Sequence, residues 1–360
     1  MHPLAHGRLL IVRLSAIGDV ITSLPTLASL RMQLPEAHIA WVTEEGPAQL
    51  LDRHPHLDEL FIVPLKKWRR AIPRPVETLH VLGEAFSTYR HLRSLDFDVI
   101  LDLQGNLKSA LTARFFRTTR RLGYPRGRTR EGNHLFSTES IPLPAREPPR
   151  VQRSLAALAA LGLEPRYEPT RLFLDESHTT EALAVSGPSP LIVLHPGSSS
   201  FGAFKRWPAE NYALLARQLQ AWCGGTILVT CGSGEEHLAN TVERESRGAA
   251  RAVPPFQGGL KTLAALLLSS HLTVAADTAP LHLASCLGRP VVALFGPKNP
   301  EIYGPVGSPS RIVRVPLPCS PCTRRRCPDP ICMTRLPVNQ VFDACRELLH
   351  TTNSEHHHAR

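Results

Sequence analysis

The sequence predicts an α/β protein with two domains, each built around a parallel β-sheet. The chain has 360 residues, which is enough for two domains of ordinary size. Short apolar runs with the length of buried strands alternate with segments of helical spacing, the pattern of a parallel sheet with helices on both faces. This alternation pauses over about 122–150, and after one helix and a linker-like stretch it starts again near residue 191. Two such series indicate two domains of similar size, divided near residue 186.

The first domain is predicted to span 1–186 and to open with a strand, a tight turn and a helix. The strand covers 8–14, the turn ends at Asp19, and helical spacing follows over 20–34. Further strands are expected at 39–43, 60–63 and 99–103, and further helices at 80–94, 107–116 and 151–161. The stretch 122–150 is rich in Gly, Pro and Arg and is expected to be a loop over the ligand-binding edge, and a linker-like stretch leads to the division.

The second domain, 187–336, repeats this order. Strands are expected at 191–194, 226–230, 272–276 and 291–295, and helices at 209–223, 235–247, 260–269 and 281–287. A loop rich in Gly and Ser follows the first of these strands. The last expected element is a helix over 337–350, which can pack back on the first domain.

The composition indicates a globular protein with an anionic partner. The net charge is +10, and the basic residues cluster in the first half of the chain. A solvated basic face and a docking surface for a phosphorylated or carboxylated substrate explain these clusters equally well. Few aromatic residues accompany the charges, which disfavours nucleic acid. No apolar run approaches the ~20 residues that span a bilayer, and the N-terminal segment lacks the form of a signal peptide, so we expect a cytoplasmic protein.

Four of the eight cysteines lie close together near the end of the chain, at Cys319, Cys322, Cys327 and Cys332. In a cytoplasmic protein such a cluster favours a metal ion over disulfides. The spacing resembles a small zinc or iron knuckle but is not a standard zinc-finger pairing. A structural zinc or iron ion and reduced, metal-free thiols are equally open interpretations. The other four cysteines are expected to be buried small hydrophobic residues.

Acidic residues lie at two helix starts that follow predicted strands. Asp19 is either a general base or a plain helix cap. Glu235 and Glu236 either accept hydrogen bonds from ribose hydroxyls, as acids do in nucleotide sites, or only complement the helix dipole. The sequence alone leaves both pairs of alternatives open.

Two further loops have the composition of anion sites. After the strand at 191–194, Gly197, Ser198 and Ser199 offer backbone N–H groups and hydroxyls to a phosphate, and Lys205 adds a cation. After the strand at 272–276, Asp277-Thr278 begins a helix whose N-terminus favours anions. No Walker A loop and no G-x-G-x-x-G motif occurs, so a dinucleotide cofactor is disfavoured. The Asp96–Asp98 pair precedes a strand and is interpreted as a solvated turn.

Several motifs in a fixed order resemble those of glycosyltransferase family 9, the bacterial ADP-heptose:lipopolysaccharide heptosyltransferases. The resemblance extends from about residue 8 to 345. It depends on the following segments: Arg13–Asp19, Asp102–Ala110, His195–Gly197 with Lys205–Pro208, Asp277–Leu283 and Phe295–Pro297.

The resemblance implies a GT-B architecture, in which two Rossmann-like domains with parallel sheets face each other across a cleft. It also implies that heptose is transferred from ADP-heptose to the lipopolysaccharide inner core with inversion, and that catalysis requires no cofactor. The first domain would hold an anionic, lipid-linked Kdo or heptose acceptor and the second the donor. Such a protein would be peripheral to the cytoplasmic face of the inner membrane.

The resemblance also implies roles for individual residues. Asp19 would deprotonate the acceptor hydroxyl, and Lys205 would neutralise the departing diphosphate. The donor-binding residues would be His195, Gly197, Ser198, Ser199, Glu235, Glu236, Asp277, Thr278 and His282. The acceptor-binding residues would be Lys66, Lys67, Arg69, Arg70, Gln104, Lys108 and Arg120.

One departure from the family pattern affects the donor site. The family usually has Gly after the Asp-Ser or Asp-Thr pair, whereas this chain has Ala279-Pro280. Pro is tolerated in a first helical turn, but it removes one N–H donor for a phosphate. This departure leaves the fine donor specificity open, but not the fold.

Three alternatives to the proposed transfer stay open: another nucleotide sugar or acceptor, a non-catalytic nucleotide-binding protein, and a metal-sensing or redox role for the cysteine cluster.

Overall fold

The computed structural model describes residues 2–71, 75–322, 324 and 326–358, with no side-chain placement for 69–71, 75–82, 200–201 and 352–358. The chain forms two compact units, Met1–Phe173 and Leu174–Arg360. The boundary between the units thus falls at 173–174 rather than near the predicted residue 186. The reason is that part of the predicted linker is a helix, Glu176–Val185, which belongs to the second unit.

The first unit is a six-stranded sheet covered by helices. Its strands are β1 (Arg8–Val12), β2 (His38–Thr43), β3 (Glu59–Ile62), β4 (Val99–Asp102), β5 (Arg120–Gly123) and β6 (Glu139–Ser140). Its helices are α1 (Ile17–Ile21), α2 (Leu24–Gln33), α3 (Glu45–Leu51), α4 (Leu65–Ala71), α5 (Pro75–Arg93), α6 (Leu107–Ala113) and α7 (Arg150–Ala160), with a 3₁₀ helix at Asn133–Phe136. The strand order is β3-β2-β1-β4-β5-β6, and all pairs are parallel.

The four strands predicted for this unit are confirmed to within two residues at each end, but two other predictions are wrong. The helix predicted over 20–34 is two helices, because Thr22 and Ser23 hydrogen-bond the Asp19 carbonyl and Pro25 cannot continue a preceding helix. The loop predicted over 122–150 contains half of β5 and all of β6, whose short length and charged residues hide the strand pattern.

The second unit has the same construction. Its strands are β7 (Leu191–His195), β8 (Thr226–Val229), β9 (Arg251–Ala252), β10 (Leu272–Ala276), β11 (Val291–Leu294) and β12 (Ser310–Val313). Its helices are α8 (Glu176–Val185), α9 (Ala209–Cys223), α10 (Glu236–Ser246), α11 (Gly259–Ser269), α12 (Ala279–Cys286), α13 (Pro300–Tyr303), α14 (Ile331–Thr334) and α15 (Val338–His358), with a 3₁₀ helix at Ser200–Lys205. The strand order is β12-β11-β10-β7-β8-β9, again parallel throughout.

Both sheets have the same winding, 3-2-1-4-5-6 when the strands of each unit are counted from its first. The strand order reverses between β1 and β4 in one unit and between β7 and β10 in the other. In open parallel sheets, ligands bind beyond the carboxyl ends of the strands at such a switch point. The topology therefore selects four loops, which follow β1, β4, β7 and β10.

The inner strands of each sheet are buried on both faces, whereas the edge strands β3, β6, β9 and β12 are partly exposed. Each unit has its own apolar core. In the first unit, Trp41 on β2 is fully buried and its Nε1 donates to the Arg13 carbonyl at 3.1 Å. In the second unit, α15 packs on α9 and on β10, β11 and β12, and places Val341, Cys345 and Leu348 in the core. In the described part of the chain, no helix combines the length and apolar character needed to cross a bilayer.

Candidate functional site

Asp19 lies in α1, directly after the loop that follows β1. Its carboxylate is 3.1 Å from Nη2 of Arg13, and the two side chains are 41% and 5% exposed, respectively. Nη1 of Arg13 donates to the Leu103 carbonyl at the end of the neighbouring β4. A fixed, buried cation therefore holds one side of a carboxylate that is open to solvent.

Gln104 and Lys108 follow β4 and contact the same loop. Gln104 Oε1 accepts from the backbone N–H groups of Leu14 at 2.8 Å and Ser15 at 3.2 Å. Lys108 Nζ donates to Ser15 Oγ at 2.9 Å and lies 2.6 Å from Oε1 of the buried Glu44. The structure thus brings Asp19, Gln104 and Lys108 to one switch point.

The loop after β4 is shaped by the buried carboxylate of Asp102. It accepts hydrogen bonds from the N–H groups of Gln104 and Gly105, from Ser109 Oγ and from Asn133 Nδ2. Burial raises the pKa of Asp102, although the hydrogen bond from Asn133 and the others oppose this. Asp102 has no solvent-facing role here and fixes the loop that carries Gln104.

The other predicted acceptor residues lie elsewhere. Lys66 and Lys67 are exposed on α4, beyond the carboxyl end of β3, and Lys67 Nζ pairs with Glu84 at 2.6 Å. Arg120 begins β5, so it lies at the opposite edge of the sheet from Asp19, and it makes a two-bond pair with Glu139. The side chains of Arg69 and Arg70 lie outside the described residues.

Lys205 and Asp277 form the centre of the second unit's switch point. Lys205 Nζ donates to the Asp277 carbonyl at 2.7 Å and to its carboxylate Oδ2 at 2.9 Å. His282 Nε2 lies 3.1 Å from the other carboxylate oxygen. Burial alone would raise the pKa of Asp277, but the hydrogen bond from His282 and the charge of Lys205 outweigh it and hold that pKa well below its usual range. Asp277 is therefore ionised and orients both the lysine and the histidine.

Thr278 occupies the N-cap position of α12, as predicted. Its hydroxyl donates to the Ala276 carbonyl at 3.2 Å and makes no capping hydrogen bond to the first helical turn. Pro280 lies in that turn. The helix start therefore keeps its positive dipole end, although Pro280 contributes no N–H group.

Glu235 lies beneath the loop that follows β7. Its Oε1 accepts from the Ser198 N–H at 3.0 Å and pairs with Arg206 Nη2 at 2.6 Å. Arg206 also donates to the Ser198 carbonyl and to Ser198 Oγ. The absence of a side chain at Gly197 leaves room for the Glu235 carboxylate, which a Cβ there would overlap. Both carboxylate oxygens thus lie against the loop, so the structure gives Glu235 a positioning role.

The remaining donor-site candidates differ in exposure. His195 is buried, and its Nδ1 lies 3.0 Å from Thr230 Oγ1. Burial, together with the charge of Arg206, lowers the pKa of His195 to about 4, so it is neutral at physiological pH. Ser199 is exposed, and Glu236 accepts from the Gly234 N–H at 3.0 Å. Ser199 and Glu236 are therefore more accessible to a ligand than His195.

The cysteine segment packs under the turn that follows β11. The Cys322 N–H donates to the Pro297 carbonyl at 2.8 Å, and Cys332 is buried beside Gly296. Cys319 is exposed. Among the described residues, no three His, Cys, Asp or Glu side chains are placed to hold one metal ion. Burial and the charges of Cys319, Cys322 and Cys327 raise the pKa of Cys332, so the four thiols lie near one another. No step below uses a metal ion.

Sequence reasoning gave no role to Arg13, Glu44 or Arg206. Each is an ionic partner of a predicted site residue. Arg13 and Arg206 lie within the motifs that resemble the family. The motifs do not reveal which acids these side chains contact, because those contacts depend on tertiary packing. Glu44 follows β2 and carries no local signal that separates it from a surface acid.

Comparisons with known proteins show which family the chain resembles. The family model described as "Glycosyltransferase family 9 (heptosyltransferase)" matches residues 85–331 of the chain. The chain is 30% identical to lipopolysaccharide heptosyltransferase 1 of Pseudomonas aeruginosa, covering 95% of this chain and 98% of that protein. It is 28% identical to lipopolysaccharide heptosyltransferase 2 of Escherichia coli K12, covering 86% and 88%, respectively.

The fold is also that of solved relatives. The structure of an Escherichia coli heptosyltransferase with ADP matches with a TM-score of 0.74 at 23% identity, over 95% of this chain and 99% of that one. At this level of identity the match concerns the fold, and it confirms the predicted GT-B class with two Rossmann-like sheets.

Proposed function

This chain belongs to glycosyltransferase family 9, and from that premise we propose that it transfers heptose from ADP-heptose to a Kdo or heptose residue of the lipopolysaccharide inner core. The proposed transfer inverts the anomeric carbon and requires no catalytic metal. The family membership establishes a glycosyltransferase with heptosyltransferase relatives. The donor, the acceptor and the stereochemistry are parts of the proposal.

In the proposed reaction, the first unit activates the acceptor. The Asp19 carboxylate takes the proton of the acceptor hydroxyl as that oxygen attacks C1 of the heptose. The Arg13 guanidinium, held by the Leu103 carbonyl, fixes the carboxylate in one orientation. A single carboxylate is enough for an inverting displacement, whereas a retaining double displacement also needs a nucleophile.

The second unit receives the leaving group. As the bond between C1 and the diphosphate oxygen breaks, negative charge grows on ADP. The Lys205 ammonium and the N-terminus of α12 are positive groups at this edge. Removing one preorganised group of this kind typically raises the free energy of the transition state by about 3–4 kcal/mol. Ser198 and Ser199 would hold phosphate oxygens, and Glu236 is the acid that we assign to the ribose.

The observation that carries this proposal is the chemistry of the two switch points. A carboxylate open to solvent lies at one, and a lysine held beside a helix N-terminus lies at the other. These are the two groups that an inverting sugar transfer from a nucleotide diphosphate needs. The basic residues of the first unit support an anionic, lipid-linked acceptor and a place for the protein at the cytoplasmic face of the inner membrane.

A panel of nucleotide sugars and acceptors tests the proposal. Purified protein is incubated with ADP-heptose, ADP-mannose or UDP-glucose and a Kdo-terminated or heptose-terminated acceptor. We expect a heptosylated product by mass spectrometry, and an anomeric configuration by NMR that is opposite to that of the donor. A product with any other sugar but none with ADP-heptose would replace the proposed donor.

The role of Asp19 is tested in the same assay. Asp19→Asn keeps the size of the side chain but removes its basicity, so we expect kcat to fall by about 10²- to 10⁴-fold. Glu36→Gln is the control, because Glu36 is an exposed carboxylate before β2, at the opposite edge of the same sheet. Wild-type turnover by Asp19→Asn would refute its assignment as the base.

A further inference from the structure

Three leucines of the first unit project into solvent near the candidate acceptor edge. Leu107 and Leu111 lie one turn apart on α6 and are 37% and 47% exposed, and Leu135 in the 3₁₀ helix is 77% exposed. Side chains one turn apart share a helix face. Large apolar side chains that are exposed together mark a contact surface more often than a lone exposed leucine does.

The two short helices that carry these leucines are fixed to each other. Asn133 Nδ2 donates to the Asn106 carbonyl at 2.8 Å and to the buried Asp102 carboxylate at 2.6 Å. The Leu107 N–H donates to Glu131 at 3.2 Å. The 3₁₀ helix that carries Leu135 is therefore hydrogen-bonded to the start of α6. Leu135 is exposed although its backbone is held in place.

The surrounding charge is strongly positive. Residues 105–136 contain eight Lys and Arg residues and one acid, Glu131. Four of the basic residues pair with acids from other segments: Lys108, Arg117, Arg120 and Arg128. Arg121 is buried. Arg114, Arg126 and Arg130 are exposed, and none of them has an ion-pair partner among the described residues.

We propose that these three leucines and three arginines, the leucine–arginine surface, dock on an anionic phospholipid bilayer. Moving leucine side chains from water to the boundary of the acyl chains lowers the free energy of the system. Arginine side chains nearby are attracted to the negatively charged lipid phosphates. A lipid surface satisfies both kinds of group at once. Charges of one sign would instead oppose pairing between two copies of this surface.

The docking surface adjoins the candidate acceptor site. Leu107 and Lys108 are neighbours on α6, and Lys108 contacts Ser15 and Glu44 while Leu107 is exposed. Docking through Leu107 would thus bring the edge with Asp19 to the lipid headgroups. This inference rests on the proposed function, since a lipid-linked acceptor gives the docking its purpose, but the binding itself is measured without turnover.

Vesicle sedimentation with the full chain tests the inference. The probes are vesicles of phosphatidylcholine alone and of phosphatidylcholine with about a quarter phosphatidylglycerol. We expect binding to the anionic vesicles only, weakened at about 0.5 M NaCl, where charge interactions are screened. Equal binding to both vesicles, or none to either, would overturn the proposal.

Two double variants localise the contact. Leu111→Ser with Leu135→Ser should weaken vesicle binding by at least about tenfold, because two leucines no longer leave water. Leu183→Ser with Leu214→Ser is the matched control, since these leucines of the second unit are exposed to a similar extent, 60% and 46%, and should leave binding unchanged. Equal vesicle binding by both double variants would overturn the assignment of the surface. If the wild type is a dimer and only Leu111→Ser with Leu135→Ser is a monomer, the surface is instead a contact between copies.

Transfer to a water-soluble acceptor separates this inference from the proposed function. We expect Leu111→Ser with Leu135→Ser to transfer heptose to such an acceptor at the wild-type rate. Loss of vesicle binding with intact transfer supports the docking surface. A wild-type protein that binds vesicles but transfers no sugar would refute the proposed function and leave the docking surface standing.

Discussion

Asp19 is open to solvent, whereas Arg13, which pairs with it, is almost completely buried. The guanidinium has a second fixed contact at the Leu103 carbonyl. A buried arginine with two partners loses little freedom when it binds a carboxylate, so it acts as a rigid support. Arg13 is therefore a positioning residue for the proposed base.

The variant Arg13→Gln tests this support. We expect kcat to fall by about tenfold or more while the KM for ADP-heptose stays near the wild-type value, because misplacing a reacting group lowers the rate of the chemical step. Steady-state rates at saturating acceptor measure both constants. Arg31→Gln is the control, because it removes an ion pair with Asp58 at the opposite sheet edge. If the two variants lowered kcat equally, Arg13 would have a structural role only.

His195 makes stability depend on pH. Its pKa is lowered from 6.5 to about 4 by burial and by the charge of Arg206, so on acidification the unfolded chain is protonated first. The contribution of this group is fully present above about pH 6.5 and is lost as the pH falls toward about 4. Between about pH 7 and 4.5 we expect His195 to reduce the free energy of unfolding by about 2–3 kcal/mol.

Urea unfolding of His195→Gln at these two pH values checks this expectation. Glutamine can still hydrogen-bond Thr230 but does not titrate, so the variant should lose about 2–3 kcal/mol less than the wild type over that range. His237→Gln changes an exposed histidine and should follow the wild type. The same pH dependence for His195→Gln and the wild type would contradict the prediction.

The loop after β7 depends on the contact between Glu235, Arg206 and the Ser198 backbone. Gly197→Ala would push a Cβ into the Glu235 carboxylate. We expect the loop to shift and the affinity for ADP to fall by about tenfold or more, since a site that is displaced by a fraction of an ångström binds poorly. Titration calorimetry with ADP measures the change.

Gly46→Ala is the control for this element. Gly46 lies in α3, and a Cβ there meets nothing within 4 Å, so alanine should leave ADP affinity unchanged and slightly favour the helix. Wild-type affinity in Gly197→Ala would mean that the Glu235 contact does not shape the ADP site.

Several elements could not be predicted from the sequence, for identifiable reasons. The segment of α8 was interpreted as linker because only Ala182 of this helix is buried, and a capping box between Asp175 and His178 supports it locally. β12 has a mostly exposed sequence, and it is held by pairing with β11 rather than by its own pattern. Short edge strands carry too few buried positions to give a periodic signal.

At the scale of the whole molecule, the proposed function assigns the donor to the second unit and the acceptor to the first. We expect ADP to protect backbone amides of 195–205 and 277–286 from hydrogen exchange, because a bound ligand suppresses local opening. Amides of 9–23 and 102–110 should exchange as in the free protein. Mass spectrometry of peptides with and without ADP measures both sets.

Hydrogen exchange in Lys205→Met provides the control for this experiment. Removing the proposed diphosphate cation should remove most of the protection at the same ADP concentration. Protection that appears mainly at 9–23 would place the nucleotide on the first unit and reverse the assignment.

The sequence by itself determined the two α/β series, the loops after the strands and the residue types in them, because strand length, helical spacing and turn residues are local properties. It also placed Asp19 and Asp277 at the carboxyl ends of their strands. Only the tertiary structure decided which loops are neighbours, since β1 pairs with β4 and β7 with β10 across long stretches of chain. That pairing brings Arg13 to Leu103 and Lys205 to Asp277, and it leaves Arg120 at the other edge. The physical reason is that strand order depends on burial shared by distant segments, which no local pattern encodes.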